Sequence, residues 1–156
     1  MSIRITQARP SDAPLVAELV GELLQEIMAV VGAKAFEFSL ADTETRARGW
    51  LTDGSYAVLL AHEDETAAGF LALSECRALY AEGSLGIIPE LYVRPAFRSR
   101  KAGTMLMAGA KQVARSKGWT RLEVTTPPLP QFDRTLAFYE RQGFSISGGR
   151  KMKLSL

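Results

Sequence analysis

The hydrophobic pattern changes period around Pro95, and that change constrains the fold more than any other feature. Leu85 to Val93 reads as an apolar strand ended by Pro95. From Ala102 to Lys117, Leu106, Ala110 and Val113 recur on one helical face until Gly118 supplies a stop. A strand that feeds a helix through a short turn calls for layers in which helices cover a sheet. The remaining segments extend the pattern. Ile3 to Thr6 alternates as a first strand, and the turn Arg9-Pro10-Ser11-Asp12 leads into a helix with Leu15, Leu19, Leu23 and Ile27 on one stripe. Ser39 to Asp42 matches a capping box, predicting a second helix that ends near Asp53-Gly54.

Tyr56 to Ala61 and Ala68 to Ser74 read as strands joined by the acidic turn from His62 to Thr66. Leu122 to Thr126 reads as another strand, broken by Pro127-Pro128-Leu129-Pro130. A short helix is predicted from Asp133 to Gln142, then strands at Phe144 to Ile146 and, as a sheet edge, at Arg150 to Leu154. The fold class expected is α/β, a mixed central β-sheet flanked by helices. No repeat or linker interrupts it, so one domain over 1–156 is expected.

Composition excludes several classes. With 47% hydrophobic and 23% charged residues the chain is neither disordered, collagen-like nor a disulfide framework, and its single cysteine, Cys76, has no internal partner. No apolar stretch reaches the length of a membrane span, and the N-terminus lacks a signal-peptide pattern, so a cytoplasmic protein without membrane association is expected. The one histidine, His62, sits in an acidic turn and supports neither a His-based triad nor a metal site; no metal is expected.

Net charge is only +2, but it is unevenly distributed. Residues 1–93 hold 6 Lys/Arg against 14 Asp/Glu, whereas residues 94–121 hold 8 basic residues and no acid. Such a block suits an anionic partner or a solvated helix face. The block is interleaved with Ala, Met and Gly rather than stacking aromatics, which favours a small polyanion over nucleic acid. A helix N-terminus offers unpaired N–H groups and about half a positive charge, so the turn before Ala102, with Arg98, Arg100 and Lys101, is the candidate anion site. A plain basic turn opening a surface helix fits the composition equally well. Neither a Walker motif nor G-x-G-x-x-G is present.

The segment Glu90-Leu91-Tyr92-Val93-Arg94-Pro95, followed by Arg98-Ser99-Arg100-Lys101-Ala102-Gly103, resembles the acetyl-CoA-binding motif of the GCN5-related N-acetyltransferases (GNAT). That motif is written [RQ]-x-x-G-x-[GA] and runs here Arg98-x-x-Lys101-x-Gly103. Ala137-Phe138-Tyr139-Glu140-Arg141-Gln142-Gly143-Phe144 resembles the second family signature, a helix ending F-Y-x-x-x-G-F. Lys101 stands where the family usually has glycine, and Phe132 where many relatives carry asparagine.

The resemblance implies the GNAT fold and acetyl-CoA as cosubstrate. Leu91, Tyr92 and Val93 would pair with pantetheine, and the N–H groups of Arg98, Ser99, Arg100, Lys101, Ala102, Gly103 and Thr104 would bind the pyrophosphate. Tyr139 would be the general acid toward the leaving thiolate, and Glu90 a general base toward the amine, with water as the other option. Pro89 makes an interruption of the strand beside Glu90 reasonable. The implied activity is direct acetyl transfer to a primary amine on a small molecule or peptide. The implied assembly is a homodimer through the sheet edge or C-terminal strands. A CoA-binding or sensing module without catalysis is the alternative.

Overall fold

The computed structural model describes residues 2–156, which form two compact units, Met1–Thr125 and Thr126–Leu156. The first is built on a six-stranded sheet. Its strands are β1 (Ile3–Gln7), β2 (Tyr56–Glu63), β3 (Thr66–Ala78), β4 (Gly83–Ile88), β5 (Leu91–Val93) and β6 (Leu122–Val124), with helices α1 (Ala13–Val31), α2 (Leu40–Asp53) and α3 (Ala102–Ser116). The order across the sheet is β1-β2-β3-β4-β6, with β5 also paired to β3; all pairs are antiparallel except β4 with β6.

Val58 to Ala61 and Ala68, Phe70, Leu71, Ala72 and Leu73 are all at most 5% exposed. The two central strands are therefore covered on both faces, which is why their sequence is a continuous apolar run and not an alternation. One face, with Val58, Leu60, Phe70, Ala72 and Tyr92, packs against Ala13, Val16 and Leu19 of α1 and Ala47 of α2. Side chains alternate along a strand, so Leu59 points the other way; it meets Gly109 of α3, where an added Cβ would lie 3.0 Å from its methyl. The mixed sheet with helices on both faces agrees with the expected class. No helix among the described residues is long and apolar enough to cross a membrane.

Local signals placed the helices well. The Ser39 hydroxyl accepts from the Asp42 N–H at 3.2 Å, and Gly32 and Gly54 close α1 and α2 with left-handed φ. The β2–β3 hairpin is longer than expected, with Asp64 and Glu65 alone at the tip. The expected strand from Leu85 to Val93 is two strands. Ser74 of β3 faces Ile87, yet the Ala72 N–H already bonds to the Glu90 carbonyl, so one extra residue is inserted opposite Leu73. The insertion is a β-bulge at Ile88-Pro89, where proline has no N–H to give the ladder.

The second unit holds α4 (Asp133–Arg141), which follows the proline-rich segment and ends before Gly143 at φ 102°. The strands expected at Phe144 to Ile146 and Arg150 to Leu154 are not formed. Their alternation has no neighbouring strand to pair with among the described residues, and Ile146, Met152 and Leu154 are exposed.

Candidate active site

The bulge ends at Glu90, a half-buried carboxylate between β4 and β5. Its Oε1 accepts the Tyr56 hydroxyl at 2.6 Å. Burial holds the Glu90 carboxyl above the usual carboxylate range, and the Tyr56 hydrogen bond works against that rise. Burial first, and the Glu90 charge second, push the Tyr56 phenol well above its ordinary value, so it stays a donor. The Tyr56 ring is held by Trp50 of α2 at a centroid distance of 5.1 Å.

Beyond Glu90, β5 offers a free edge. The Glu90 carbonyl accepts from the Ala72 N–H and the Arg94 N–H donates to the Ala68 carbonyl of β3, which sets the alternation: Tyr92 bonds inward, while Leu91 and Val93 point their backbone groups away. On that side no described strand pairs with them, since β6 lies beside Gly86 to Ile88 only. The close seat of β5 on β3 requires Gly69, where an added Cβ would fall 2.3 Å from the Tyr92 carbonyl oxygen.

After Val93 the chain makes a short turn over Pro95–Phe97 and reaches α3 through Arg98, Ser99, Arg100 and Lys101. Ser99 (φ 68°) and Lys101 (φ 67°) are left-handed, a conformation that costs a non-glycine residue about 1–2 kcal/mol. Lys101 is the N-cap of α3, so Ala102, Gly103 and Thr104 make up the first turn, and the N–H groups of Ala102 and Gly103 have no carbonyl of the helix before them. Glu90, Leu91, Tyr92, Val93 and the loop to Thr104 thus form one continuous stretch in the first unit, as the sequence predicts.

The arginines are less free than the sequence suggests. Arg94 grips Glu22 of α1 with Nε at 3.0 Å and Nη2 at 2.8 Å, and Tyr92 donates to the same carboxylate at 3.3 Å. Arg98 pairs with Glu26 at 2.7 Å, Arg100 with Glu63, and Arg121 with Glu123 at 2.8 Å. Arg94, Arg98, Arg100 and Arg121 are therefore matched within the chain, the first three by acids from the first 93 residues. Lys101 is exposed and makes no ion pair among the described residues.

Tyr139 lies in the second unit, near the end of α4. It is 5% exposed, and its ring meets Phe138 and Phe144 edge-on, each at 5.6 Å between centroids. Burial pushes its phenol up to about 12, so it is protonated throughout the neutral range. The residues that sequence reasoning missed are Tyr56, Trp50, Glu26 and Glu63. Tyr56, Glu26 and Glu63 lie 34, 72 and 37 positions from Glu90, Arg98 and Arg100, and only the tertiary fold brings them close; Trp50 acts through Tyr56.

Residues 17–144 match the model of the Acetyltransferase (GNAT) family. The chain is 28% identical over 150 residues to the uncharacterized N-acetyltransferase YhfO of Bacillus subtilis (strain 168), covering 94% of this chain and 93% of the relative. In fold it is similar to an aminoglycoside acetyltransferase from an uncultured soil metagenomic sample, solved with trehalose (TM-score 0.78, 20% identity, 99% of this chain and 96% of that one). It is also similar to the ribosomal-protein-alanine N-acetyltransferase of Brucella melitensis biovar Abortus 2308 (TM-score 0.75, 18% identity, 100% of both chains).

Proposed function

The chain belongs to the acetyltransferase (GNAT) family, and on that premise we propose that it carries the acetyl group of acetyl-CoA directly to a primary amine, with 1–156 acting as one such domain. The observation that carries this reading is the half-buried Glu90 carboxylate at the head of an unpaired β5 edge that runs on into the α3 N-terminus. The edge and the loop fit the cosubstrate in kind. The outward N–H and C=O of Leu91 and the outward N–H of Val93 suit the amides of pantetheine, and the first-turn N–H groups of α3 with Lys101 suit a pyrophosphate.

Acetyl-CoA supplies an activated acyl group; the residues manage protons and orientation. A protonated amine must lose a proton before it can attack, and Glu90 takes it, directly or through one water. The raised carboxyl narrows the gap to an amine, and its seat beside Tyr56 fixes the direction of transfer. As the new C–N bond forms and the C–S bond breaks, negative charge passes to the carbonyl oxygen and then to sulfur. An outward N–H of β5 is suited to the first, and the Tyr139 hydroxyl to the second. A phenol near 12 holds its proton more tightly than a thiol near about 8.5, so Tyr139 keeps its proton and acts by donating a hydrogen bond to the departing thiolate. The named acceptors of the two structural neighbours, an aminoglycoside and a protein alanine, support an amine on a small molecule or peptide as the substrate class.

The test is calorimetric titration with CoA, followed by thiol release from acetyl-CoA across a panel of amines. Binding with acceptor-dependent release is expected. Binding with no release on any amine would leave a CoA-holding module, and no binding at all would overturn the reading.

A further inference from the structure

Arg98 and Arg100 are each held from two or three sides. The Arg98 guanidinium lies over the Tyr92 ring at 5.8 Å, donates Nε to the Val93 carbonyl at 2.9 Å and donates Nη2 to Glu26 of α1 at 2.7 Å. Arg100 lies over the Phe97 ring at 5.8 Å and donates Nη1 to both oxygens of Glu63, at 2.9 and 2.8 Å. The Glu63 side chain is only 11% exposed, at the end of β2. Two left-handed residues, Ser99 and Lys101, flank Arg100. Such a backbone persists only where its surroundings over-determine it. We propose that the Arg98 and Arg100 side chains are clamps that hold the loop in its anion-receiving form, and that the backbone and Lys101, not these guanidinium groups, meet the phosphates.

The proposal deepens the acetyl-CoA reading and rests on it for the identity of the anion. Its physical content is a division of labour within one loop. Arg100 commits Nη1 to both oxygens of Glu63, and moving it toward a phosphate would leave that nearly buried carboxylate uncompensated. The Val93 carbonyl, one of the groups facing away from β3, is likewise already matched by Arg98. Clamps from α1 and β2 thus tie the loop to two elements of the first unit at once.

The discriminating variants are R100E and the charge swap E63R/R100E, with CoA affinity read by calorimetry and thermal unfolding read without CoA. R100E should weaken CoA by about tenfold or more and lower the midpoint, because two acids then face each other. The swap restores an ion pair of reversed sense, so both the midpoint and CoA affinity should return to within about threefold of the parent. A swap that melts like the parent but binds CoA as weakly as R100E would overturn the proposal and make Arg100 a phosphate ligand. Should the swap fold poorly, E63Q separates the roles: a clamp loses its ionic partner and CoA weakens, whereas a phosphate ligand released from Glu63 keeps or gains affinity. If the parent binds no CoA, the cosubstrate reading falls. The ligand-free midpoints still test the clamp, which is refuted if R100E melts like the parent.

Discussion

Replacing Tyr56 with Phe isolates one hydrogen bond in the candidate site. The ring and its contact with Trp50 remain, while the hydroxyl that donates to Glu90 at 2.6 Å is lost. That bond favours the ionised carboxylate, so its removal leaves burial unopposed and raises the Glu90 carboxyl further. A hydrogen bond to a charged group is worth about 1.5–3 kcal/mol, which at 1.36 kcal/mol per pH unit is about 1 to 2 units. If Glu90 must be ionised to take a proton from the amine, the acidic limb of kcat/KM should move to higher pH by that amount. Below the limb the variant should be about 10- to 100-fold slower, and above it the two proteins should converge. The assay is acetyl transfer to a saturable amine from pH 5 to 10, with unfolding monitored at each pH. A limb that stays in place, or moves to lower pH, would refute the claim that this carboxylate is the group titrating in catalysis.

Tyr139→Phe should leave CoA affinity nearly unchanged and reduce kcat by roughly 10²–10⁴-fold, provided chemistry limits the rate; wild-type turnover in a folded variant would remove Tyr139 from the mechanism. Lys101→Gly should relieve the left-handed backbone and raise stability by about 0.5–1 kcal/mol, read as a midpoint about 2–4 °C higher, whereas Lys101→Ala should give no such gain. Burial and the Arg4 charge hold the His62 imidazole below its ordinary value, and its buried Nδ1 has no partner. The unfolded chain therefore takes up a proton near pH 6.5 that the folded chain resists, so stability is lost as pH falls through that value. His62→Gln should flatten that loss between pH 7 and 5 in paired thermal scans, and an unchanged slope would show that His62 does not drive it.

Helices α1, α2 and α3 were legible because their signals are local: Ser39 at a cap, Gly54 and Gly118 at stops, and leucines at four-residue spacing. The candidate loop was legible for the same reason, since strand, turn and helix start lie within fourteen residues. The fate of its charges was not. Glu26 and Glu63 lie 72 and 37 positions from the arginines they hold, and no spacing rule links residues that only the packing of α1 and β2 around the loop brings together. Tyr56 at Glu90 is the same case, 34 positions away. The C-terminal strands failed for the opposite reason: Arg150 to Leu154 alternates correctly, but alternation is a promise that needs a partner strand.

The extra residue at Ile88-Pro89 carries a consequence for how this chain can vary. Side-chain direction along a strand depends on counting. The bulge absorbs the extra residue and keeps Glu90 opposite Ala72, so loss of Pro89 would only straighten the strand. Loss of one residue from β5, by contrast, would turn Tyr92 to the opposite face of the sheet. Tyr92 would then leave Glu22 without any change in its own identity. Adding one residue would do comparable harm by shifting β5 against Gly69, the only position whose lack of a side chain admits the Tyr92 carbonyl at that point. Substitutions between Leu91 and Val93 therefore change the quality of the site gradually, whereas insertions and deletions there abolish it at a stroke. Among descendants of this chain the segment should drift in composition while its length stays fixed.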